Sequence, residues 1–197
     1  MSIEILAEQE VKLIQDWIIW VQGKHYHKER LIRNATMFLL MLDAGLRVNE
    51  VANLPKNSLM FSGDISKQIT VPGTIAKNKT ERQIPTSARL SKMIQMQDTW
   101  NWQPDQTPPD GYAFYSKTYT SHLANRQIHR IIKKISLKII SREIHPHILR
   151  HTFATRLMRV AKPSVVQELL GHKSLSSTQI YMHPNSNDLS TAIEAIG

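Results

Sequence analysis

The chain has 197 residues, enough for one well-buried domain or two small ones. Its 25 lysines and arginines outnumber 16 aspartates and glutamates, giving a net charge of +9 and a pI of about 9.9; this surplus suits a polyanionic partner and predicts binding that weakens steeply with salt, although basic ribosomal and membrane-surface proteins share it. The absence of cysteine excludes a disulfide framework and a thiolate zinc site. No basic-then-apolar leader opens the sequence and no stretch approaches a membrane span, so a soluble, cytoplasmic protein without a membrane partner is expected.

Val11, Ile14, Ile18 and Val21, with Leu13 and Trp17 beside them, mark an amphipathic first helix. A second helix is expected from about Lys28 to Ala44, stopped by Gly45, and a short third from Arg47 that ends before Pro55. Alternating stretches at Leu59 to Ser62, Gln68 to Val71 and Arg82 to Pro85 read as a small antiparallel sheet of about three strands, with Gly63-Asp64 as its first turn. Helix resumes near Ser87 to Thr99. The stretch Trp100 to Gly111, with Pro104, Pro108 and Pro109, is the clearest loop but is too short to mark a domain boundary. A helix from about Ser121 to Lys138 carries Arg126, His129, Arg130, Lys133 and Lys134, a stripe that either tracks a DNA backbone or is a solvated basic face. The four tryptophans form no aromatic ladder, which argues against a single-strand stacking platform. The fold class is therefore mainly α (α+β), a helical domain with a small antiparallel sheet.

The last third is chemically the densest. Leu149, Phe153 and Leu157 recur every four residues and define a buried helical stripe, with His147, Arg150 and Ala154 on another face. Pro146 fits the first helical position, which puts His147 and Arg150 in a first turn whose free N–H groups and dipole favour a phosphate. A helix from roughly Ser164 to Leu170 ends at Gly171, holding His172 just past its end. Ser176 and Gln179 have the spacing of a capping box, so a third helix is expected to carry Tyr181 in its second turn. Taken singly, each of these residues has an ordinary structural reading. The spacing of His147 and His151, with His145 nearby, also admits a zinc site, but no glutamate follows His147 and Arg150 between them repels a cation.

Taken together, the residues resemble the catalytic domain of the tyrosine recombinase (phage integrase) family. His147-Ile148-Leu149-Arg150-His151-Thr152-Phe153-Ala154-Thr155 is similar to its His-x-x-Arg box, and Leu169-Leu170-Gly171-His172-Lys173-Ser174 and Ser177-Thr178-Gln179-Ile180-Tyr181 to its two later boxes. Leu42 to Leu54 resembles the first arginine box, which implies that Arg47 is a second phosphate-binding arginine. The resemblance also implies a hairpin lysine between Ile69 and Pro85; counting back from Glu81-Arg82 assigns Lys77, with Lys79 as the alternative.

The implied catalytic set is thus Arg47, Lys77, His147, Arg150, His172 and Tyr181, with Lys79, Arg82, Arg126, Arg130 and Lys133 as DNA contacts. In the implied chemistry Tyr181 attacks a phosphodiester and His147 helps to remove its proton. Arg47 and Arg150 neutralise the non-bridging oxygens, His172 orients the phosphate and Lys77 protonates the leaving 5′ oxygen. The product is a 3′-phosphotyrosyl link that a 5′ hydroxyl later reverses, with no nucleotide cofactor or metal. Double-stranded DNA, self-association on it as dimer or tetramer, and accessory DNA-bending proteins are the implied partners, in a bacterial, archaeal or phage setting. The match runs from about Ile5 to the end as a single catalytic domain over residues 1–197. The N-terminal core-binding domain of most relatives is not in the sequence, as in an isolated catalytic piece or a short member of fimbrial phase-variation length. A non-catalytic DNA-binding regulator on the same fold and a type IB topoisomerase are the alternative readings.

Overall fold

The computed structural model describes residues 3–23, 29–102, 107–174 and 176–181. Helix α1 (Glu8–Gln22) buries Val11, Ile14, Ile18 and Val21, the residues its spacing selects. Helix α2 (Glu29–Leu42) is different in kind. Every residue from Ala35 to Leu42 is buried, as befits a helix surrounded by protein rather than lying on it. It packs against α1, against α4 (Ala88–Trp100) and against α6 (Pro146–Met158), and so forms the axis of the main core.

After the short helix α3 (Val48–Asn53) and a 3-10 turn at Lys56–Ser58, the β structure falls into two ladders rather than one three-stranded sheet. Strands β1 (Met60–Phe61) and β2 (Asp64–Ile65) pair Met60 with Ile65 and Phe61 with Asp64. The turn is Ser62-Gly63, one residue earlier than expected, because both carry positive φ (51° and 88°), the geometry a two-residue hairpin needs. Strands β3 (Gln68–Val71) and β4 (Arg82–Pro85) pair from Gln68 with Pro85 to Val71 with Arg82. Between the ladders, Ser66 N–H is donated to Leu59 O at 3.0 Å and Thr86 N–H to Lys67 O at 2.9 Å. Each bond extends its own ladder by one step, and the chain passes from one ladder to the other through Ser66-Lys67 without β1 pairing with β3.

At the start of the expected loop after α4, Trp102 is fully buried and donates Nε1–H to Ala113 O at 2.8 Å. Helix α5 (Asn125–Ile140) begins later than its composition suggested, because Ser121 to Leu123 is extended. Leu123 N–H goes to Phe114 O and Ser116 N–H to Ser121 O instead of into a helix. Pro146 opens α6 as expected, but the buried stripe is broader than Leu149 alone. Ile148, Arg150, Thr152 and Ala154 are buried while Phe153 and Leu157 are only partly so, since α2 covers one side of α6 and α7 (Pro163–Leu170) the other. Helix α7 stops at Gly171 in the left-handed conformation (φ 61°). Helix α8 (Ser176–Gln179) is a single turn, and Tyr181 lies just beyond it with its N–H on Thr178 O at 3.0 Å. Leu189, Ile193 and Ile196 stand at helical spacing in the sequence, and this tail lies outside the described residues. Among the described residues no helix is long and apolar enough to cross a membrane.

Candidate active site

The site is assembled where three chain reversals meet. At the end of α2, Gly45 adopts φ 63°, and a Cβ there would lie 2.4 Å from Phe153 Cδ1, so only glycine turns the chain at this spot. Its carbonyl accepts a hydrogen bond from Arg150 Nη1. Two residues on, Arg47 stands at the N-cap of α3, its backbone N–H donated to Glu50 Oε2 at 2.7 Å and its Nη1 to Glu50 Oε1 at 3.0 Å.

Glu50 is 1% exposed and is the anionic hub of the site. Arg82, from the start of β4, forks onto both its oxygens at 2.9 and 2.7 Å and donates Nε–H to Leu169 O at 3.0 Å. Burial alone raises the Glu50 pKa, but the hydrogen bonds and charge of Arg82, followed by those of Arg47, outweigh it and hold the carboxyl below its ordinary value. Arg82 thereby ties the hairpin and the end of α7 to α3.

Arg150 is buried (4% exposed) and is aimed by its neighbours: besides Gly45 O, Nη2 donates to Leu170 O at 2.9 Å and lies 3.3 Å from His172 Nε2. Burial, then the charge of Arg47, lowers its pKa to about 9, so it remains a cation at neutral pH. His172 is pushed down to about 4 by burial and then by Arg150, Arg47 and Arg82, and is neutral. With Nε2 facing a guanidinium donor, its proton sits on Nδ1, which donates to the fully buried Thr178 Oγ1 at 3.0 Å. The Tyr181 ring stacks on His172 (centroids 6.5 Å apart, planes at 16°) within a small apolar cluster of Ala154, Val166 and Leu170. Its hydroxyl lies 2.7 Å from His151 Nδ1. Burial raises the phenol pKa, and Arg150 and Arg47 partly offset that. An open cleft of about 560 Å³, lined by Arg47, Lys77, Asn78, Arg82, His172 and Lys173, lies between the β3–β4 loop and the end of α7.

The Phage integrase family model matches residues 6–188. The chain belongs to the phage integrase family. A tyrosine recombinase of Pseudothermotoga lettingae is 35% identical over 153 residues, covering 77% of this chain and 49% of that relative. Tyrosine recombinase XerC of Oceanobacillus iheyensis is 34% identical over 167 residues, covering 81% and 52%. The chain therefore spans about half the length of these curated relatives. In fold it is similar to a crystal structure of XerA recombinase (TM-score 0.74, 23% identity, 98% of this chain and 63% of that one). It is likewise similar to XerH recombinase bound to a difH substrate before cleavage (TM-score 0.75, 20% identity, 98% and 54%).

Of the residues singled out by resemblance to the phage integrase family, Arg47, Arg150, His172 and Tyr181 converge, and Lys77 lines the cleft beside Arg47 and His172. Lys79 is exposed at positive φ (55°) and is not among the residues lining that cleft. Its neighbour Asn78 pins the loop to α7 by donating Nδ2–H to Gly171 O at 2.8 Å. His147 is exposed in the first turn of α6, and the histidine that touches Tyr181 is instead His151, which the motif contained but the sequence reading left without a role. Arg82, expected at DNA, is buried with its side chain committed to Glu50 and Leu169 O; it is a positioning residue, not a free cation. Arg126 and Arg130 are exposed on α5, and Lys133 pairs with Glu143 at 2.7 Å. Glu50 and Thr178 were also missed. Among the described residues, no group of three or more histidine or acidic side chains is arranged to hold a metal ion.

Proposed function

We propose that this chain is the catalytic part of a site-specific DNA recombinase, which cleaves and rejoins DNA strands through a covalent 3′-phosphotyrosyl intermediate on Tyr181. The observation that carries the reading is the convergence of Arg47 and Arg150 on Leu170 O, with His172 against Arg150 and the Tyr181 ring stacked on His172. Of the five N–H groups of the Arg150 guanidinium, three are engaged by Gly45 O, Leu170 O and His172 Nε2, and among the described residues the others have no hydrogen-bond partner and can serve a phosphate oxygen. Arg47 has Nε and Nη2 available in the same way.

In this mechanism the two guanidinium groups neutralise the non-bridging oxygens as charge develops, which is where most of the rate enhancement of phosphoryl transfer arises. Tyr181 attacks phosphorus, the bond to the 5′ oxygen breaks, and Lys77 from the cleft wall gives that oxygen a proton. His172 orients the phosphate, and His147 adds a polar contact at the first turn of α6. The 5′ hydroxyl of a partner strand then reverses the step. Double-stranded DNA, contacted along the exposed Arg126 and Arg130 face, is the proposed substrate, and self-association on it the proposed working state. Integration, excision and inversion all share this chemistry.

The test uses Tyr181→Phe to select sequences from a random duplex pool, then a nicked suicide duplex carrying the selected sequence. Wild-type protein is expected to form a denaturant-resistant DNA adduct, also in excess chelator, and Tyr181→Phe to bind without forming it. Failure of the wild type to form an adduct, or an adduct persisting in Tyr181→Phe, refutes the reading. The first result alone is what a DNA-binding regulator on the same fold gives.

A further inference from the structure

We propose that His151 is the proton acceptor for Tyr181: its Nδ1 takes the phenol proton as the tyrosine oxygen bonds to phosphorus, and returns it when the strand is rejoined. This rests on the recombinase reading above and adds to it a residue that the six expected catalytic positions do not include.

The geometry is direct. His151 lies on α6 next to Arg150, and its Nδ1 is 2.7 Å from the Tyr181 hydroxyl, with ring centroids 5.7 Å apart. That separation is within the reach a general base needs. No hydrogen bond joins His147 to Tyr181 among the described residues; its ring is one helical turn away, 6.2 Å from that of His151, and exposed. Among the described residues, the groups facing His151 are His147 and Arg150 of its own helix, His145 at the N-cap of that helix, His172 beyond α7, and Tyr181 itself. None is an anion that would hold a proton on the ring. Burial, followed by the charges of His147, Arg150 and His145, keeps the imidazole below its ordinary pKa and hence neutral at neutral pH. A neutral ring presenting a bare Nδ1 to a phenol accepts a hydrogen bond along the line the proton must travel. The phenol needs such a partner, because its burial disfavours a free phenolate.

The step balances. The Tyr181 oxygen forms a bond to phosphorus as the bond from phosphorus to the 5′ oxygen breaks. The phenol proton passes to His151 Nδ1, making an imidazolium, and the leaving oxygen takes its proton from the separate acid on the hairpin. In rejoining, the hairpin group, now deprotonated, takes the proton of the 5′ hydroxyl as that oxygen attacks phosphorus, the bond to the tyrosine oxygen breaks, and the imidazolium returns its proton to that oxygen.

The experiment measures single-turnover adduct formation by the full chain on the suicide duplex described above, for wild type, His151→Ala and His151→Asn, from pH 6 to 9. Asparagine can keep a hydrogen bond to the phenol but accepts no proton. Both variants are expected to bind the duplex normally in a gel shift and to cleave at least about 10²-fold more slowly at pH 7, the ordinary worth of a general base. Their rates should climb with pH, by about tenfold per unit as solvent hydroxide takes over, while wild type is flat above pH 7. A duplex with sulfur replacing the 5′ bridging oxygen, whose leaving group needs no proton, should rescue Lys77→Ala and leave the His151 variants slow. Wild-type rates in His151→Asn, slow variants with a flat pH profile, or rescue of the variants by the sulfur substrate would each overturn the proposal. An absent wild-type adduct instead overturns the recombinase reading beneath it.

Discussion

Replacing Glu50 by glutamine tests whether one buried carboxylate holds the site together. The change is nearly isosteric, so its effect is electrostatic. Glu50 accepts hydrogen bonds from Arg82 Nη1 (2.9 Å), Arg82 Nη2 (2.7 Å), Arg47 Nη1 (3.0 Å) and Arg47 N (2.7 Å), with one oxygen serving two donors and the other the remaining two. Glutamine retains one acceptor oxygen and turns its amide toward donors at the other, while Arg82, 8% exposed, keeps a charge with no counter-ion. Breaking a buried ion pair from one side costs about 3–5 kcal/mol. At roughly 2–4 °C per kcal/mol for a chain of this size, the melting temperature should fall by roughly 6–20 °C.

Urea and thermal unfolding measured in parallel from pH 3 to 8 provide the assay. The Glu50 carboxyl is held below its ordinary value of 4.5. Its contribution is therefore complete above the unfolded-state value and is lost as the pH falls through the lower folded value. The gap between wild type and Glu50→Gln should be flat from about pH 5.5 to 8 and narrow only below about 4.5. A loss under about 1 kcal/mol, the range of an exposed pair, or a gap unchanged at pH 3, refutes the hub argument.

Three further outcomes follow from the same geometry. Lys77→Ala should slow adduct formation by about 10²–10⁴-fold, and Lys79→Ala should leave the cleavage rate near wild type, as single-turnover assays will show. Gly45→Ala should destabilise the fold by about 2–5 kcal/mol, from left-handed strain plus the clash with Phe153, and Phe153→Leu in the same chain should recover part of that loss in urea unfolding. Replacing Arg126 or Arg130 by alanine should lower the slope of log affinity against log salt by about one unit if each contacts a phosphate; Lys133→Ala should lower it less, because Glu143 already neutralises that lysine.

The sequence made legible whatever depends on spacing within one element. The faces of α1, the N-terminal Pro146 of α6 and the left-handed Gly171 could be read directly because local periodicity and backbone preference decide them. Contacts between distant segments were hidden. Arg82 looked like another cation for DNA, and only the fold brings it onto Glu50, 32 positions away. His151 and Tyr181 are 30 positions apart, and which histidine of α6 meets the phenol depends on where the turn after α8 sets Tyr181. The β region failed for a similar reason: alternation marked the strands, but which strand pairs with which, and hence the division into two ladders at Ser66-Lys67, has no pattern in the sequence. The Lys77 and Lys79 alternatives separate only once the loop is folded, with Lys77 on the cleft.

The way Arg150 is held explains how a strongly cationic site persists without its substrate. A buried guanidinium left unpaired is costly, and a full set of carboxylate partners would neutralise the charge that catalysis needs. The protein takes an intermediate course. Gly45 O and Leu170 O give Arg150 neutral acceptors that fix its direction without cancelling its charge; the first comes from the turn after α2 and the second from the last residue of α7, where carbonyls lack intrahelical partners. Glu50 bonds directly to Arg47 and Arg82 and reaches Arg150 only through space. Burial, reinforced by the remaining charge, depresses His172 and His151 and keeps both neutral. Under the proposed function, an arriving phosphodiester would meet donors already oriented and, among the described residues, incompletely satisfied, with neutral imidazoles beside Tyr181. In the proposed function, electrostatic preorganisation and proton acceptance both follow from burying a cationic cluster while its counter-charge is withheld.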